Sequence, residues 1–361
     1  MHLLNRNKLT LAAAIVVVVL SFATFAAAQH YSVTNLVADV PGAAVNTDPN
    51  LVNPWGISFS ATSPFWIADN GTGLSTLYNG AGATIPLVVT IPTPSGGTPP
   101  SKPTGTVFNG TTDFVVSGNG VSAAAVFLFA TEDGTISGWS PTVDRANAIL
   151  AVDNSALGAI YKGLAIATTK KGKNFIYATN FHDGYVEMYD GNFQLVKQFT
   201  DYNLPDGYAP FGIQTINDKL YVTFAKQDDE KEDDVAGRGF GFVDVFDLDG
   251  DHHHRLVSRG RLNAPWGLAL APADFGKFSG DLLVGNFGDG RIHAYGHRSG
   301  KFHGTLRMKH HVPITIDGLW GLAFGTGAPN SGPTNALFFT AGPDDESHGL
   351  FGEIQAVEHS K

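Results

Sequence analysis

The hydrophobic residues of this chain fall in short runs separated by turns rich in Gly, Asp and Asn, and no helical periodicity is found after residue 28. One phrase recurs: an apolar or aromatic residue, then Gly, then a β-type apolar run. The six copies are spaced by 49 to 58 residues, and their glycines are Gly56, Gly105, Gly163, Gly212, Gly267 and Gly321. A repeat of this length indicates one structural unit used six times.

Each copy is followed by further strand-like runs, as in the series APWGLALA, LLVGN and GRIHAYG of the fifth unit. Four strands in a unit of about 50 residues are typical of a β-propeller blade. The sixth unit contains three such runs, while YSVTNLVAD (Tyr31 to Asp39) belongs to no unit. We therefore predict an all-β fold, a six-bladed β-propeller with four strands per blade, whose ring is closed by the N-terminal strand joining the C-terminal blade.

The first 28 residues have the pattern of a signal peptide. Arg6 and Lys8 precede an apolar run from Leu11 to about Phe25, and small residues follow at Ala26 and Ala28. The alternative is an uncleaved membrane anchor, because the apolar run is long for a signal. The prediction is a signal peptide over 1–28 and a single propeller domain over 29–361, secreted or periplasmic, with no transmembrane segment after cleavage.

Composition excludes several functions. Lys and Arg number 23 against 33 Asp and Glu, for a net charge of −10, and no basic stripe is present, so we expect no nucleic-acid partner. The absence of Cys excludes disulfides, thiolate metal sites and a Cys nucleophile. Motifs of serine hydrolases, zinc proteases and nucleotide-binding proteins are also missing. The protein is expected to be a monomer.

The repeats resemble those of NHL-repeat and gluconolactonase-type six-bladed propellers. The segments LVNPWGISFSATSPFWIADNGTG (Leu51 to Gly73), NFHDGYVEMYD and APWGLALAP are also similar to an uncharacterised family of secreted bacterial propellers. The resemblance covers nearly all of the chain after the leader. It implies the fold specifically and leaves the function open, since this architecture carries lactonases, lyases, quinoprotein dehydrogenases and binding modules.

Two sets of residues are expected on one face of the propeller, around the mouth of the central channel, which we call the channel face. The residue before the repeated glycine starts the channel-lining strand, and the second strand of a blade ends on the same face. These rules place there Trp55, Trp266 and Trp320, together with Asn70, Asn180 and Asn286. The tryptophans either plug the channel or form an aromatic rim for a flat or carbohydrate-like ligand. The asparagines either bind their own turns or converge on a ligand.

The resemblance to gluconolactonase-type propellers implies a divalent cation such as Ca²⁺ on this face. Carried over by position, Asn180 and Asn286 become metal ligands, with Asp317 as the candidate carboxylate. His182 and Asp317 are the catalytic candidates. One departure is that Asn53-Pro54-Trp55 replaces the Glu expected at the opening of the first blade, which lowers the negative charge available to Ca²⁺.

Further charged residues fall into three groups. Acid or base candidates on the channel face are Glu132, Asp133, His182, Asp183, Asp289 and Asp317. A segment from Gln227 to Gly239, called here the acidic loop, interrupts the fourth blade and is expected to overhang this face as a solvated, mobile segment, with a lid or Ca²⁺ site as alternatives. DLDGDHHH (Asp247 to His254) resembles an EF-hand start but lacks the acidic residue at position 12, so it predicts an outer hairpin turn.

Three functions fit these observations. The first is a binding protein whose channel face, including His182, recognises a small-molecule, carbohydrate-like or protein ligand without turnover. The second is a divalent-metal-dependent hydrolase or lyase of lactonase type, in which a carboxylate or His182 moves the proton. The third is a quinone-cofactor dehydrogenase, for which Lys102, Lys162 and Lys226 are the basic residues on this face.

Overall fold

A computed structural model describes residues 30–357. The signal peptide predicted over residues 1–28 lies outside the described residues. Six four-stranded blades are arranged around a central channel, and this confirms the predicted six-bladed β-propeller. Among residues 30–357 we find no helix with the length and hydrophobicity needed to cross a lipid bilayer.

The strands follow the chain order blade by blade. The chain begins with β1 (His30–Ala38) and β2 (Asn46–Thr47), which belong to the last blade. Blade 1 contains β3 (Pro54–Ser58), β4 (Phe65–Asp69), β5 (Leu74–Tyr78) and β6 (Val89–Thr90). Blade 2 contains β7 (Pro103–Phe108), β10 (Phe127–Thr131), β11 (Thr135–Trp139) and β12 (Ile149–Asp153), with an inserted hairpin of β8 (Val115–Gly118) and β9 (Val121–Ala124).

The remaining blades repeat the pattern. Blade 3 contains β13 (Tyr161–Thr168), β14 (Asn174–Asn180), β15 (Tyr185–Asp190) and β16 (Leu195–Phe199). Blade 4 contains β17 (Tyr208–Ile216), β18 (Lys219–Lys226), β19 (Phe242–Phe246) and β20 (His253–Ser258). Blade 5 contains β21 (Pro265–Leu270), β22 (Asp281–Asn286), β23 (Ile292–Gly296) and β24 (Phe302–Thr305). Blade 6 starts with β25 (Leu319–Phe324), β26 (Ala336–Ala341) and β27 (Leu350–Val357). Short 3₁₀ turns occur at Ser155–Leu157, Gly276–Phe278 and Lys309–His311.

The ring closes as the sequence predicted. Strand β1 pairs antiparallel with β27, from His30 opposite Val357 to Ala38 opposite Leu350, and so supplies the fourth strand of blade 6. Strand β2 then adds a short parallel edge to the same sheet. Because the first and last described strands share one sheet, neither is left as an open edge between blades.

The middle strands explain the apolar runs. All residues of β4, β10, β22 and β26 are buried, because each blade is covered on both faces by its neighbours. A strand buried on both faces reads as a continuous apolar run instead of an alternating one. The cores lie between adjacent blades, as in the cluster that joins Leu283 and Ile292 of blade 5 to Leu337 and Phe339 of blade 6.

The repeated glycines have a shared packing role. A Cβ atom at each of them would lie within about 3 Å of backbone in the first strand of the next blade. Measured from a Cβ atom added to the glycine, the distances are 2.6 Å at Gly56 to Thr104 O, 2.3 Å at Gly105 to Leu164 N, 3.0 Å at Gly163 to Phe211 O, 2.1 Å at Gly212 to Trp266 O, 2.5 Å at Gly267 to Trp320 O and 2.6 Å at Gly321 to Trp55 O. We call these six contacts the glycine ring. The repeat in the sequence therefore marks the places where neighbouring backbones approach too closely for any side chain.

The channel has two different ends. On the face opposite the channel face it opens as a cavity of about 370 Å³. Each blade contributes three consecutive residues to its walls, at or directly after the first strand, and most are apolar, such as Phe59, Phe108, Ile166, Leu270 and Phe324. The other end is closed by aromatic and charged side chains.

Candidate functional site

An aromatic plug closes the channel below the channel face. It consists of Trp55, Phe211, Trp266 and Trp320, with Phe181 and Phe287 beside them. The rings of Trp55 and Trp320 stack with centroids 3.4 Å apart, and Trp266 meets both of them edge-on at 5.9 and 5.8 Å. Trp55 and Trp320 are 2% and 1% exposed, whereas Trp266 is partly exposed. The three predicted tryptophans thus meet on the axis, in the arrangement of a plug, and ligand contact by them stays a prediction.

A buried lysine lies against this plug. Lys162, on the first strand of blade 3, is 1% exposed, and its Nζ lies 5.4 Å from the Trp55 ring centre and 5.8 Å from that of Phe181. The ammonium donates hydrogen bonds to Glu132 Oε1 and, over 3.0 Å, to Asp233 Oδ1. Burial alone would lower the pKa of Lys162, but Glu132 and Asp233 outweigh burial and raise it. Lys162 is therefore a fixed positive charge at the channel mouth.

Two asparagines of blade 1 extend this ion pair across the axis. Asn70 Nδ2 donates to Glu132 Oε2 over 2.8 Å, and Asn70 Oδ1 accepts from Asn53 Nδ2 over 3.3 Å. Asn53 Nδ2 also donates to Glu346 Oε2 over 2.7 Å, while Trp320 Nε1 donates to Asn53 Oδ1 over 3.1 Å. A continuous polar network therefore links blades 1, 2, 3, 4 and 6.

Glu346 reaches this network from an unusual turn. Asp344, Asp345 and Glu346 have φ angles of 60°, 52° and 64°, three consecutive non-glycine residues in the left-handed region. Each such residue costs about 1–2 kcal/mol relative to right-handed backbone. Asp317 stabilises the turn, because its Oδ2 accepts the Asp344 N–H over 2.9 Å. The turn carries this strain and aims Glu346 at Asn53.

Two carboxyl groups at the channel mouth have raised pKa values. Burial raises the pKa of Glu346 to about 7, with Glu132 adding to the effect and Asn53 and Lys162 opposing it. Burial likewise raises the pKa of Asp234 to about 7 against the attraction of Lys162. Asp234 Oδ2 is buried and has no hydrogen-bond partner among residues 30–357. We name Glu132, Lys162, Asp233, Asp234 and Glu346 the Lys162 centre.

A cavity of about 320 Å³ adjoins the Lys162 centre between blades 2 and 3. Four carboxylates line it, those of Glu132, Asp133, Glu232 and Asp233, together with Lys102 and His182. We call it the acidic pocket. The Nδ1 atom of His182 is buried without a hydrogen-bond partner in the described part of the chain. Two of these carboxylates, Glu132 and Asp233, are paired with Lys162. The negative charge that remains on Asp133 and Glu232 favours ligands with positive charge or several hydrogen-bond donors.

The predicted asparagines separate into two groups. Asn70 belongs to the network just described. Asn180 Oδ1 instead accepts hydrogen bonds from the backbone N–H groups of Ile160 and Asp183. Asn180 Nδ2 donates to the carboxylates of Asp183 and Glu187. Asn286 donates to Arg261 O and Asp289, while its Oδ1 is buried and has no partner within residues 30–357. A metal bound by Asn180, Asn286 and Asp317 stays a prediction, and two of these side chains already serve their own turns.

One cluster of possible metal ligands lies elsewhere. In the described residues, ligand atoms of Asp201, Asp244 and His253 lie within 4.8 Å of one another. Asp201 follows the outer strand of blade 3, and Asp244 and His253 lie on the third and outer strands of blade 4. His253 belongs to the DLDGDHHH segment, which forms the outer hairpin that was expected. Arg255 bonds both carboxylates, so a guanidinium already compensates this cluster.

Sequence reasoning found part of the Lys162 centre. Glu132 and Lys162 were placed on the channel face from their positions at strand ends. Asp233 and Asp234 were assigned to a solvated loop, yet both contribute to the centre. Glu346 was missed, and the DDE triplet of residues 344–346 contains no glycine that would have indicated a left-handed turn.

Comparison with known proteins agrees with the fold. The chain is similar to streptogramin B lyase, with 12% identity, a TM-score of 0.52, and coverage of 91% of this chain and 98% of that one. It is also similar to virginiamycin B lyase from Staphylococcus aureus with quinupristin, at 12% identity, a TM-score of 0.51, and coverage of 91% and 99%. A luciferin-regenerating enzyme matches at 13% identity with a TM-score of 0.50, over 85% and 92% of the two chains. At these identities the likeness concerns the fold alone.

Sequence relatives define the family. No protein-family model matches the chain. The chain is 32% identical over 337 residues to "Uncharacterized protein L690" of Acanthamoeba polyphaga mimivirus, covering 91% of this chain and 86% of the relative. It is 33% identical over 337 residues to "Uncharacterized protein R648" of the same virus, covering 91% of this chain and 81% of the relative. The bacterial source implied by the resemblance finds no support in these viral relatives. The chain therefore belongs to the family of the mimivirus proteins R648 and L690.

Proposed function

We propose that the channel face binds a small, hydroxyl-bearing cation, such as an amino sugar, in the acidic pocket. The observation that supports this is the convergence of Glu132, Asp133, Glu232 and Asp233 on one cavity of about 320 Å³. A cavity of this size matches a small ligand, and carboxylates bind ammonium and hydroxyl donors through charge-assisted hydrogen bonds. The ligand class retains the carbohydrate-like character expected from the sequence and adds a positive charge.

Calorimetric titration with three sugars tests this function. Glucosamine is expected to bind more tightly than glucose, and glucuronate is expected to bind weakest, because the carboxylates of the pocket repel its charge. Glu232→Gln and Asp133→Asn should each weaken glucosamine binding by about 10- to 150-fold, since a hydrogen bond to a charged group contributes about 1.5–3 kcal/mol.

Glu230→Gln is the matched control for this titration. Glu230 is an exposed carboxylate of the same acidic loop, and it does not line the acidic pocket. Its affinity for glucosamine should equal that of the wild type. The proposal is wrong if glucuronate binds as tightly as glucosamine, or if the two pocket variants keep wild-type affinity.

A hydrolase or lyase of lactonase type is the second candidate. The observation in its favour is Glu346, which a strained turn holds at the channel mouth and whose pKa is raised to about 7 by burial. A carboxyl group with such a pKa can donate a proton to a leaving group and take one from water near neutral pH. Asn286 Oδ1 accepts no hydrogen bond from the described residues, so it can take part in holding a divalent cation, which would polarise a carbonyl.

A panel of lactones and esters tests the second candidate. The wild type should turn over at least one member, and Glu346→Gln should reduce the rate by about 10²–10⁴, the usual contribution of a general acid or base. Gln can still accept the Asn53 hydrogen bond, so the turn is retained. Chelation should lower both the rate and the melting midpoint if a cation is bound. Equal rates for wild type and Glu346→Gln would remove this residue from catalysis, and no turnover of any member would end the candidate.

A further inference from the structure

The acidic loop is the longest connection of its kind in the described chain. Fifteen residues separate β18 from β19, whereas three to eight residues join the second and third strands of the other blades. Its two stems are fastened to neighbouring blades. Gln227 Nε2 donates to Phe181 O of blade 3 over 2.6 Å, and Gly239 N donates to Leu262 O over 2.7 Å. The stems therefore fix where the loop leaves and rejoins the propeller.

An antiparallel bridge between Gln227 and Asp234 closes the base of the loop, and the tip beyond it, residues 228–233, is held differently. Within the tip, Asp228 N donates to Asp233 O over 2.9 Å, which makes a small closed turn. The tip reaches the channel mouth through the ion pair between Asp233 and Lys162. The Asp233 side chain is itself 75% exposed, so this ion pair lies at the boundary between the buried ammonium and solvent.

Asp234 is the residue of this arrangement whose negative charge would be least compensated. Its Oδ2 is buried, with no donor bonded to it in residues 30–357. The charged groups that act on Asp234 are Lys162 from blade 3, Asp233 from the loop and Glu346 from blade 6. Glu132 of blade 2 acts in turn on Glu346. An ionised Asp234 would join three other carboxylates around a single ammonium, and its buried oxygen would have no compensating hydrogen bond.

We propose that the tip of the acidic loop is a pH-dependent lid over the Lys162 centre, closed while Asp234 is protonated and displaced when Asp234 ionises. Closure buries Lys162 and places Glu232 and Asp233 on the wall of the acidic pocket. Displacement exposes the ammonium and removes these two carboxylates from the pocket. The lid is a property of the chain without ligand and is tested without one, so its failure and the failure of the proposed function are distinguishable.

The direction of the pH dependence follows from linkage. Burial raises the pKa of Asp234 to about 7 in the closed loop, while an exposed Asp has a pKa of about 3.9. The closed state therefore binds the proton more tightly than the open state. Closure is most favourable below about pH 4, weakens as the pH rises, and has lost this contribution just above pH 7. Glu346 titrates in the same range and adds to the repulsion.

A spin label on the tip tests the lid. The chain has no Cys, so Glu230→Cys gives one labelling site on the exposed part of the tip. Continuous-wave spectra should show an immobilised label at pH 5 and a mobile label at pH 8. Adding Asp234→Asn should keep the label immobilised at both pH values, because an amide carries no charge. Adding Asp229→Asn, a change at an exposed carboxylate in the same tip, should leave the transition as it is.

Proteolysis gives a second measurement. It uses the wild-type protein, so its result does not depend on whether a variant folds. Trypsin cleavage after Lys231, normalised to a peptide substrate at each pH, should be at least tenfold faster at pH 8 than at pH 6. The lid is overturned if label mobility and normalised cleavage are the same at both ends of the pH range. It is also overturned if the folded Asp234→Asn variant keeps the transition.

Discussion

Removal of residues 30–39 is expected to unfold the protein. These residues form β1, which pairs with β27 along its whole length and closes the ring. Tyr31, Leu36 and Val37 are buried there, and burying a large side chain contributes about 1.5–3 kcal/mol. The loss is comparable with the total stability of about 5–15 kcal/mol of a typical protein. Expression in the soluble fraction and chemical denaturation measure the effect.

Two point variants of β1 separate packing from simple loss of chain. Val37→Asp places a charge in a fully buried position and should lower the free energy of unfolding by about 3 kcal/mol or more. Ser32→Asp adds the same charge on the exposed side of the strand and should change stability by about 0.5 kcal/mol or less. A truncated chain with the wild-type denaturation midpoint would show that ring closure by β1 contributes nothing to stability.

Lys162→Met is the second change expected to have a large effect. The substitution keeps an unbranched side chain against Trp55 and removes the positive charge between Glu132 and Asp233. Breaking a buried ion pair by removal of one partner typically costs about 3–5 kcal/mol, because the other charge stays buried. The loss should be greatest at pH 5, where the closed loop keeps Lys162 buried between Glu132 and Asp233, and smaller at pH 8, where the displaced loop leaves Glu132 as the remaining partner.

Urea denaturation at pH 5 and pH 8 measures this effect, and the chain offers a matched control. Lys197 pairs with Asp251 on the surface, with 31% and 63% of the two side chains exposed. Lys197→Met should therefore cost less than about 1 kcal/mol at either pH. Adding Glu132→Gln to Lys162→Met should recover part of the loss. If Lys162→Met costs no more than Lys197→Met, Lys162 is not the electrostatic centre of the channel mouth.

The repeat made the fold predictable. Glycines at a spacing of about 50 residues correspond to backbone contacts between neighbouring blades, so the sequence pattern and the packing have the same cause. The unassigned run at Tyr31 to Asp39 was correctly placed in blade 6, because a ring with an open sheet edge is unstable. Periodicity also located Glu132 and Lys162, which lie at fixed positions of their blades.

The rest of the site lies in loops, where periodicity gives no information. Glu346 depends on three residues in left-handed backbone, and Asp233 and Asp234 depend on a loop whose composition is typical of a solvated segment. Asn180 and Asn286 occupy equivalent strand ends, yet within residues 30–357 both polar atoms of the Asn180 side chain have partners, whereas Asn286 Oδ1 has none. Which of two equivalent side chains stays available is decided by neighbours that a single sequence does not identify.

The glycine ring also determines how molecules can use the central channel. Each of its six contacts holds the first strands of neighbouring blades backbone against backbone, so the circumference of the channel is fixed. The bore can widen only if neighbouring blades separate, which would open the cores between them. The aromatic plug fills this fixed bore, so a molecule that enters at the charged mouth has no passage to the apolar mouth on the far side. The protein presents two independent vestibules back to back, and a ligand of one should leave the occupancy of the other unaffected.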